Sequence, residues 1–165
     1  MKNATPLRLV PLNRDGAPAE DVGTLSKEAE EVCITTATLY KSRGFEPPWI
    51  GYLALRDGEL VGACSFTSLP RANRIEIAYF TFPRFEGKGV ATKMARALIG
   101  IARAQDKNVL LTANTLPEEN ASTAILRKLG FQLFGPENHP EDGPIWTWRL
   151  DPCPATGATQ QATAR

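Results

Sequence analysis

One segment of the chain, Tyr79 to Thr92, joins a strand-like pattern, a proline and a glycine-rich turn in the sequence YFTFPRFEGKGVAT. Aromatic and β-branched residues before Pro83 favour a β-strand. The residues after Gly87 and Gly89 show an apolar pattern of helical period, which predicts a helix to about Gln105. Glycines at the start of a helix let backbone N–H groups approach a ligand closely, and the helix dipole favours an anion such as a pyrophosphate.

The same loop excludes two common phosphate-binding motifs. Lys88 and Thr92 supply a cation and a hydroxyl. The segment is not a P-loop, because Gly89 rather than Ser or Thr follows Lys88. It is not a dinucleotide-binding turn either, because Thr92 stands where that motif has its third glycine. Taken alone, the loop is equally compatible with a turn that does nothing more than begin a helix.

The patterns on both sides of this loop predict the fold class. The strands are expected at residues 7–12, 49–56, 60–66, 74–82, 109–113, 131–134 and 145–150. Helices are expected after a cap at Thr24 or Ser26, from the glycine loop onwards, and from Asn120 to Leu129 with Ala124, Ile125 and Leu129 turned inward. The order β-α-βββ-α-β-α-ββ predicts an α/β fold, a mixed sheet with helices on its faces. We expect one domain over residues 1–150 and a flexible tail over 151–165.

Composition and charge exclude several classes of protein. The chain has 165 residues and a formal net charge of +1, whereas nucleic-acid and membrane-surface binders usually carry a basic excess. A single histidine, His139, and three cysteines without a C-x-x-C pair argue against a metal site. The sparse cysteines, and the lack of a signal-like or membrane-spanning apolar run, predict a cytoplasmic protein without membrane or nucleic-acid partners.

Two segments resemble motifs of the GNAT (GCN5-related) N-acetyltransferases. Residues 86–91, EGKGVA, are similar to the family's acetyl-CoA loop, Gln/Arg-x-x-Gly-x-Gly/Ala. Residues 120–131, NASTAILRKLGF, are similar to its second motif, a helix that bears Asn or Ser and ends in Lys-x-Gly-Phe. The motifs occur in the family's order with a helix and a strand between them, and the resemblance covers roughly residues 7–150. Residues 76–80, EIAYF, bring the chain nearest to the ribosomal-protein alanine acetyltransferase branch.

The resemblance implies acetyl-CoA as cosubstrate, no metal, and a mostly antiparallel sheet of about seven strands that is splayed between the fourth and fifth. The residues it implies for binding the cosubstrate are Phe80, Thr81, Phe82, Gly87, Lys88, Gly89, Val90, Ala91, Thr92, Asn120 and Lys128. The chain departs from the family pattern at two places. Glu86 occupies the Gln/Arg position, and Leu126 falls where many relatives carry a tyrosine that protonates the leaving thiolate. The usual Asn position holds Glu119.

Acetyl transfer to an amine sets the chemical requirements. An alkylamine must lose a proton before it attacks, and a nearby carboxylate can accept that proton. Glu76, ten residues before the loop on the same strand, is the catalytic candidate, with a cross-strand ion pair as the alternative. Ser122 is the candidate for discharging the thiolate, with a backbone hydrogen bond at the start of its helix as the alternative. A backbone donor near Phe82 is expected to stabilise the oxyanion.

Three further residues are expected to contact the acceptor. Phe45 and Trp49 follow the first helix, where the family has its substrate-selecting loop, with a core aromatic as the alternative for Trp49. Glu141 lies beside His139 in a loop that borders the acceptor pocket in this fold, with an ordinary surface turn as the alternative. We therefore predict an N-acetyltransferase that acetylates a primary amine of a small molecule or of a peptide or protein N-terminus by direct transfer. The alternative is a GNAT-fold module that binds acyl-CoA without turnover. A homodimer is compatible with either.

Overall fold

Within residues 5–152, which are those that the computed structural model describes, seven strands form one sheet with helices packed on its faces. The strands are β1 (Arg8–Pro11), β2 (Gly51–Arg56), β3 (Glu59–Phe66), β4 (Arg74–Thr81), β5 (Leu110–Thr115), β6 (Gln132–His139) and β7 (Gly143–Leu150). The helices are α1 (Lys27–Arg43), α2 (Val90–Gln105) and α3 (Ala121–Lys128), with a 3-10 turn at Pro83–Phe85. The strand order is β1-β2-β3-β4-β5-β7-β6. All neighbours are antiparallel except β4 and β5, so the predicted fold class is confirmed. Residues 153–165 of the expected tail lie outside the described residues.

The first helix forms where its capping residues predict it. The Ser26 hydroxyl accepts a hydrogen bond from the Ala29 N–H (3.3 Å), and Gly44 ends the helix with φ 97°. The Tyr40 hydroxyl donates to the Leu12 carbonyl oxygen (3.1 Å) and accepts from the Gly51 N–H (2.8 Å). These bonds fix α1 against β1 and β2 on one face of the sheet.

The second helix covers the opposite face. Its buried residues are Val90, Met94, Ala95, Leu98 and Ala102, close to the predicted stripe. They pack against Ile75 and Ile77 of β4 in the main hydrophobic core. Full burial of a side chain such as Leu98 contributes roughly 2 kcal/mol to the stability of the fold. The packing of this face therefore fixes the position of α2, which begins directly after the glycine loop.

A fork between β4 and β5 is the feature that positions the site. The two strands pair only from Arg74–Glu76 to Leu110–Thr112, and beyond Glu76 they diverge. On its other edge β4 bonds to β3 through even-numbered residues, as the Thr67 N–H to Glu76 oxygen bond (3.0 Å) and the Phe82 N–H to Val61 oxygen bond (3.0 Å) show. Because alternate residues direct their backbone groups to opposite edges, Tyr79 and Thr81 direct theirs into the open fork.

Two local predictions need correction. In α3 the buried residues are Thr123 and Leu126, whereas Ala124 is exposed, because the face that carries Thr123 and Leu126 is the one that packs against the core. The strand β6 continues to His139 instead of ending at residue 134. It is an edge strand, and a bulge between Leu133 and Pro136 accommodates the glycine and proline that predict a loop there.

No helix among the described residues is both long enough and apolar enough to cross a membrane.

Candidate active site

A cavity of about 660 Å³ opens in the fork between β4 and β5. We call it the fork cavity. Its lining comes from the end of β4, the glycine loop, the first turn of α2 and the outer face of α3. The lining residues are Tyr79, Phe80, Thr81, Glu86, Gly87, Gly89, Val90, Ala91, Thr92, Ala121, Ser122 and Ile125. Most of the residues that the sequence predicts to hold a pyrophosphate-bearing ligand therefore meet at one place.

The glycine loop gives this cavity a surface suited to an anion. Gly87 and Gly89 adopt φ values of 74° and 77°, and no heavy atom lies within 4 Å of the position that a Cβ would take on either residue. The first intrahelical bond of α2 runs from the Lys93 N–H to the Gly89 oxygen (3.2 Å). The N–H groups of the three residues before Lys93 therefore have no partner inside the helix, and they form the positive end of its dipole. This arrangement fits a pyrophosphate.

The charged side chains of the loop stand at its rim. Glu86 lines the fork cavity and is exposed. Lys88 is exposed, and its Nζ lies 5.8 Å from the centre of the Phe85 ring, outside the lining. The backbone N–H groups are therefore the donors nearest to the anion position, as expected where Glu86 replaces a cationic or amide side chain.

The strand edge places two of the three predicted β4 residues at the cavity. Phe80 and Thr81 line it. Phe82 does not, because its side chain is buried among residues that pack under α1. Its N–H already donates to the Val61 oxygen (3.0 Å), so the expected oxyanion donor near Phe82 needs correction. The free backbone groups on this edge belong to Tyr79 and Thr81.

Tyr79 is a residue that the sequence interpretation missed. Its hydroxyl donates to the backbone oxygen of Ser122 (3.4 Å), so both residues meet at the α3 side of the cavity. Burial raises the pKa of Tyr79 to about 12, which keeps the hydroxyl protonated at neutral pH. Leu126, in contrast, is fully buried and faces the core. The signal that could have found Tyr79 is its alternation with Ile75 and Ile77, which places all three on one face of β4.

Glu76 lies on the other face of β4, half-buried at the point where the fork begins. The Asn114 side chain donates from Nδ2 to Glu76 Oε1 (3.1 Å). Burial raises the pKa of Glu76 and Asp142 adds to the rise, whereas the Thr67 side chain and His139 lower it. Glu76 therefore binds its proton more tightly than an exposed glutamate.

Two residues predicted to bind the cosubstrate stand elsewhere. Asn120 caps α3: its side chain accepts from the Thr123 N–H (3.1 Å), and its own N–H donates to Thr123 Oγ1 (2.9 Å). Lys128 lines a separate cavity of about 360 Å³ together with Arg96 and Arg103. The structure does not bring Asn120 or Lys128 into the lining of the fork cavity.

The structure does not bring the three predicted acceptor residues together at one place. Phe45 packs edge-on against Tyr40, with 5.0 Å between ring centres. Trp49 is buried against Phe66 at 5.1 Å. Glu141 lies exposed in the turn between β6 and β7, where its N–H donates to His139 Nδ1 (3.2 Å).

A groove lies between α1 and the end of β4. We call it the α1-side groove. Two adjoining cavities of about 340 and 160 Å³ form it, and both are lined by Val32, Thr36 and Phe80. Glu28 and Glu31 line its outer part and Ala78 its inner part. Phe80 also lines the fork cavity, so the two spaces meet at this residue.

Comparison with known families agrees with this architecture. The family model described as "Acetyltransferase (GNAT) domain" matches residues 17–132, which is more than half of the chain. The chain therefore belongs to the GNAT family of acetyltransferases, and the family and enzyme class predicted from the sequence are confirmed. Among curated proteins, no sequence matches this chain.

Solved structures share the fold at low sequence identity. RimL, a ribosomal L7/L12 α-N-protein acetyltransferase, matches with a TM-score of 0.63 and 16% identity over 90% of this chain and 94% of its own. The acetyltransferase yncA from Salmonella typhimurium, solved with acetyl-CoA, matches with a TM-score of 0.61 and 17% identity over 91% and 94%. MccE, a microcin C7 self-immunity acetyltransferase solved with acetyl-CoA and AMP, matches with 0.59 and 16% over 75% and 70%.

Proposed function

We propose that this protein transfers the acetyl group of acetyl-CoA directly to a primary amine, and that Glu76 accepts the amine proton. The observation that carries the proposal is the arrangement around β4. The glycine loop and the fork cavity lie on one face of this strand, and a half-buried carboxylate lies on the other, where the strands diverge.

The fork cavity accounts for binding of the cosubstrate. The pyrophosphate lies against the free N–H groups at the start of α2, which need no cationic side chain at position 86. The backbone groups of Tyr79 and Thr81 on the open edge of β4 pair with the amides of the pantetheine arm, as an additional strand would. This places the thioester near the end of the fork. The CoA-bound and acetyl-CoA-bound structures of RimL and yncA support the assignment.

The acceptor amine approaches from the α1-side groove. An alkylamine is protonated at neutral pH, with a pKa near 10. Glu76 accepts the proton directly or through one water molecule. Because burial raises the pKa of Glu76 above that of an exposed glutamate, its carboxylate is a stronger base.

The leaving thiolate needs a hydrogen-bond donor more than it needs a strong acid, since its pKa is close to the thiol reference of about 8.5. Leu126 cannot donate and is buried in the core. Tyr79 and Ser122 both line the cavity on its α3 side, and each carries a hydroxyl. We assign them to the sulfur, where they stabilise the anion until a proton arrives from water or from the tyrosine.

A thiol-release screen with acetyl-CoA tests the proposed function. The acceptors are amino acids, polyamines, aminoglycosides, and peptides with free N-termini, including an N-terminal serine. Because Glu28 and Glu31 line the groove, we expect basic acceptors to react faster than acidic ones of the same length. Release of CoA with acetylation of the amine, seen by mass spectrometry, supports the proposal. Tight acetyl-CoA binding by calorimetry without transfer to any acceptor contradicts it and favours the binding-module alternative.

A further inference from the structure

Asn114 makes a long-range contact to Glu76 across the fork. It lies two residues beyond the last β4–β5 pair, Glu76 with Thr112, yet its Nδ2 remains 3.1 Å from Glu76 Oε1. The backbone of Asn114 is held from the other side, because β5 pairs with β7 at Asn114 and Thr147. The donor therefore stands on a rigid strand that no longer follows β4.

We propose that Asn114 is the positioning residue of this enzyme: it holds the Glu76 carboxylate at the mouth of the fork, oriented and ionised for the acceptor amine. The inference rests on the proposed function, because it assigns Asn114 a task in that reaction. It names a residue that lies in neither motif of the family resemblance.

The chemistry of the pair supports this role. An amide N–H donates to a carboxylate and favours its charged form, and it cannot take the proton itself. The Asn114 bond goes to Oε1, so Asn114 does not occupy Oε2. Burial opposes ionisation of Glu76. A neutral donor fixed to a neighbouring strand offsets this cost without adding a second charge to the acceptor pocket.

Several other charged groups lie on the same side of the sheet as Glu76 or in the turn between β6 and β7. Arg74 lies two residues before Glu76 on β4 and is exposed. Arg149 of β7 lies 4.2 Å from the Phe134 ring centre, stacked on it. In the turn between β6 and β7, His139 Nδ1 lies 3.3 Å from Asp142 Oδ2, and these two groups act on Glu76 with opposite sign.

The first test measures Glu76 itself, without activity. The carboxyl ¹³C resonance of Glu76, assigned by its loss in Glu76→Gln, is titrated by NMR in the wild type, Asn114→Ala and Asn114→Asp. We expect the midpoint to rise in Asn114→Ala and to rise further in Asn114→Asp, which replaces a donor by a like charge. The matched control is Asn108→Ala, an exposed asparagine in the turn before β5, which should leave the midpoint unchanged.

The second test reads the reaction. In Asn114→Ala the acidic limb of kcat/KM for the acceptor should move to higher pH with the NMR midpoint. At pH values below that limb, kcat/KM should fall about tenfold, as expected for the loss of one hydrogen bond to a charged group. At pH values well above the limb the fall in kcat/KM should be small. Affinity for acetyl-CoA should stay within twofold. Thr67→Val, which removes at similar volume the other side-chain group that lowers the pKa of Glu76, should shift the limb in the same direction.

The outcomes separate the two proposals. An unchanged Glu76 midpoint in both Asn114 variants overturns the positioning role, whatever the activity. A shifted midpoint with an unmoved pH–rate limb also overturns it, because the contact would then be structural alone. If the wild type acetylates no amine, the proposed function fails instead, even where the NMR titration still detects the Asn114 contact.

Discussion

Glu76 and Tyr79 lie three residues apart on β4 and project from opposite faces of the sheet, one towards the acceptor side and the other into the fork cavity. One strand thus carries the group assigned to the amine proton and a hydroxyl assigned to the leaving sulfur. An odd separation along a strand is what produces this placement.

Replacement of Gly89 by alanine should weaken acetyl-CoA binding about tenfold, because the new methyl group would stand where phosphate oxygens meet backbone N–H groups. Calorimetry measures the dissociation constant. Gly58→Ala is the matched control: Gly58 has φ 76° against 77° for Gly89, and neither has a heavy atom within 4 Å of its Cβ position. Both variants carry the same cost of a left-handed alanine, roughly 1–2 kcal/mol. Equal affinity for acetyl-CoA in Gly89→Ala and Gly58→Ala would show that the glycine loop does not bind acetyl-CoA.

Removal of the Glu76 carboxylate should lower kcat about 100-fold at neutral pH in Glu76→Gln, with acetyl-CoA affinity retained. The deficit should shrink as the pH rises towards 10, where free amine is abundant. Steady-state rates from pH 6 to 10 with the best acceptor provide the measurement, and Glu137→Gln on the exposed edge strand β6 is the control. A variant close to wild type at neutral pH would return Glu76 to a structural role.

The same substitution should stabilise the fold at neutral pH. Burial raises the pKa of Glu76, so the native state holds this proton more tightly than the unfolded chain does. Glu76 therefore adds to the free energy of unfolding at pH values below the usual pKa of a glutamate. This contribution is lost as the pH rises through the raised pKa that Glu76 has in the native state. The free energy of unfolding of Glu76→Gln, from urea titration, should exceed that of the wild type at pH 7 and approach it at pH 4. The reverse order would mean that the carboxylate is stabilised in the native state.

Loss of the Tyr79 hydroxyl should lower kcat about tenfold in Tyr79→Phe, with unchanged affinity for acetyl-CoA, because water can still protonate the thiolate. Tyr52→Phe is the control. Burial also raises the pKa of Tyr52 to about 12, and its hydroxyl donates to the Pro48 oxygen (2.7 Å) away from the fork. We expect Ser122→Ala to lose about as much as Tyr79→Phe. If Tyr79→Phe turns over like Tyr52→Phe, the tyrosine has no part in discharging the sulfur.

Asn120 should act as a helix cap. Asn120→Ala should cost about 1 kcal/mol of stability, seen as a fall in Tm of roughly 2–4 °C, whereas Asn120→Ser should keep the cap and the Tm. Acetyl-CoA affinity in Asn120→Ser should equal that of the wild type. Weaker binding at full stability would show instead that the amide contacts the cosubstrate, as the family resemblance implies.

Local residue patterns determine much of this protein. The order of strands and helices, the glycine loop, the buried stripe of α2 and the position of Glu76 on β4 follow from residue periodicity and turn chemistry within short windows. The family resemblance likewise rests on two continuous segments. The single domain over residues 1–150 and the cytoplasmic location stay predictions.

Tertiary structure decided how those elements meet. The fork begins after Glu76, where β5 stops pairing with β4 but stays paired with β7 on its other edge as far as Thr115. These pairings join strands that lie far apart in the chain. Asn114 reaches Glu76 across 38 residues of sequence, and Tyr79 meets Ser122 across 43. Periodicity within a strand or helix specifies which residues share a face. It does not specify which distant element that face will contact, because strand pairing and helix packing depend on the register in which the whole sheet closes.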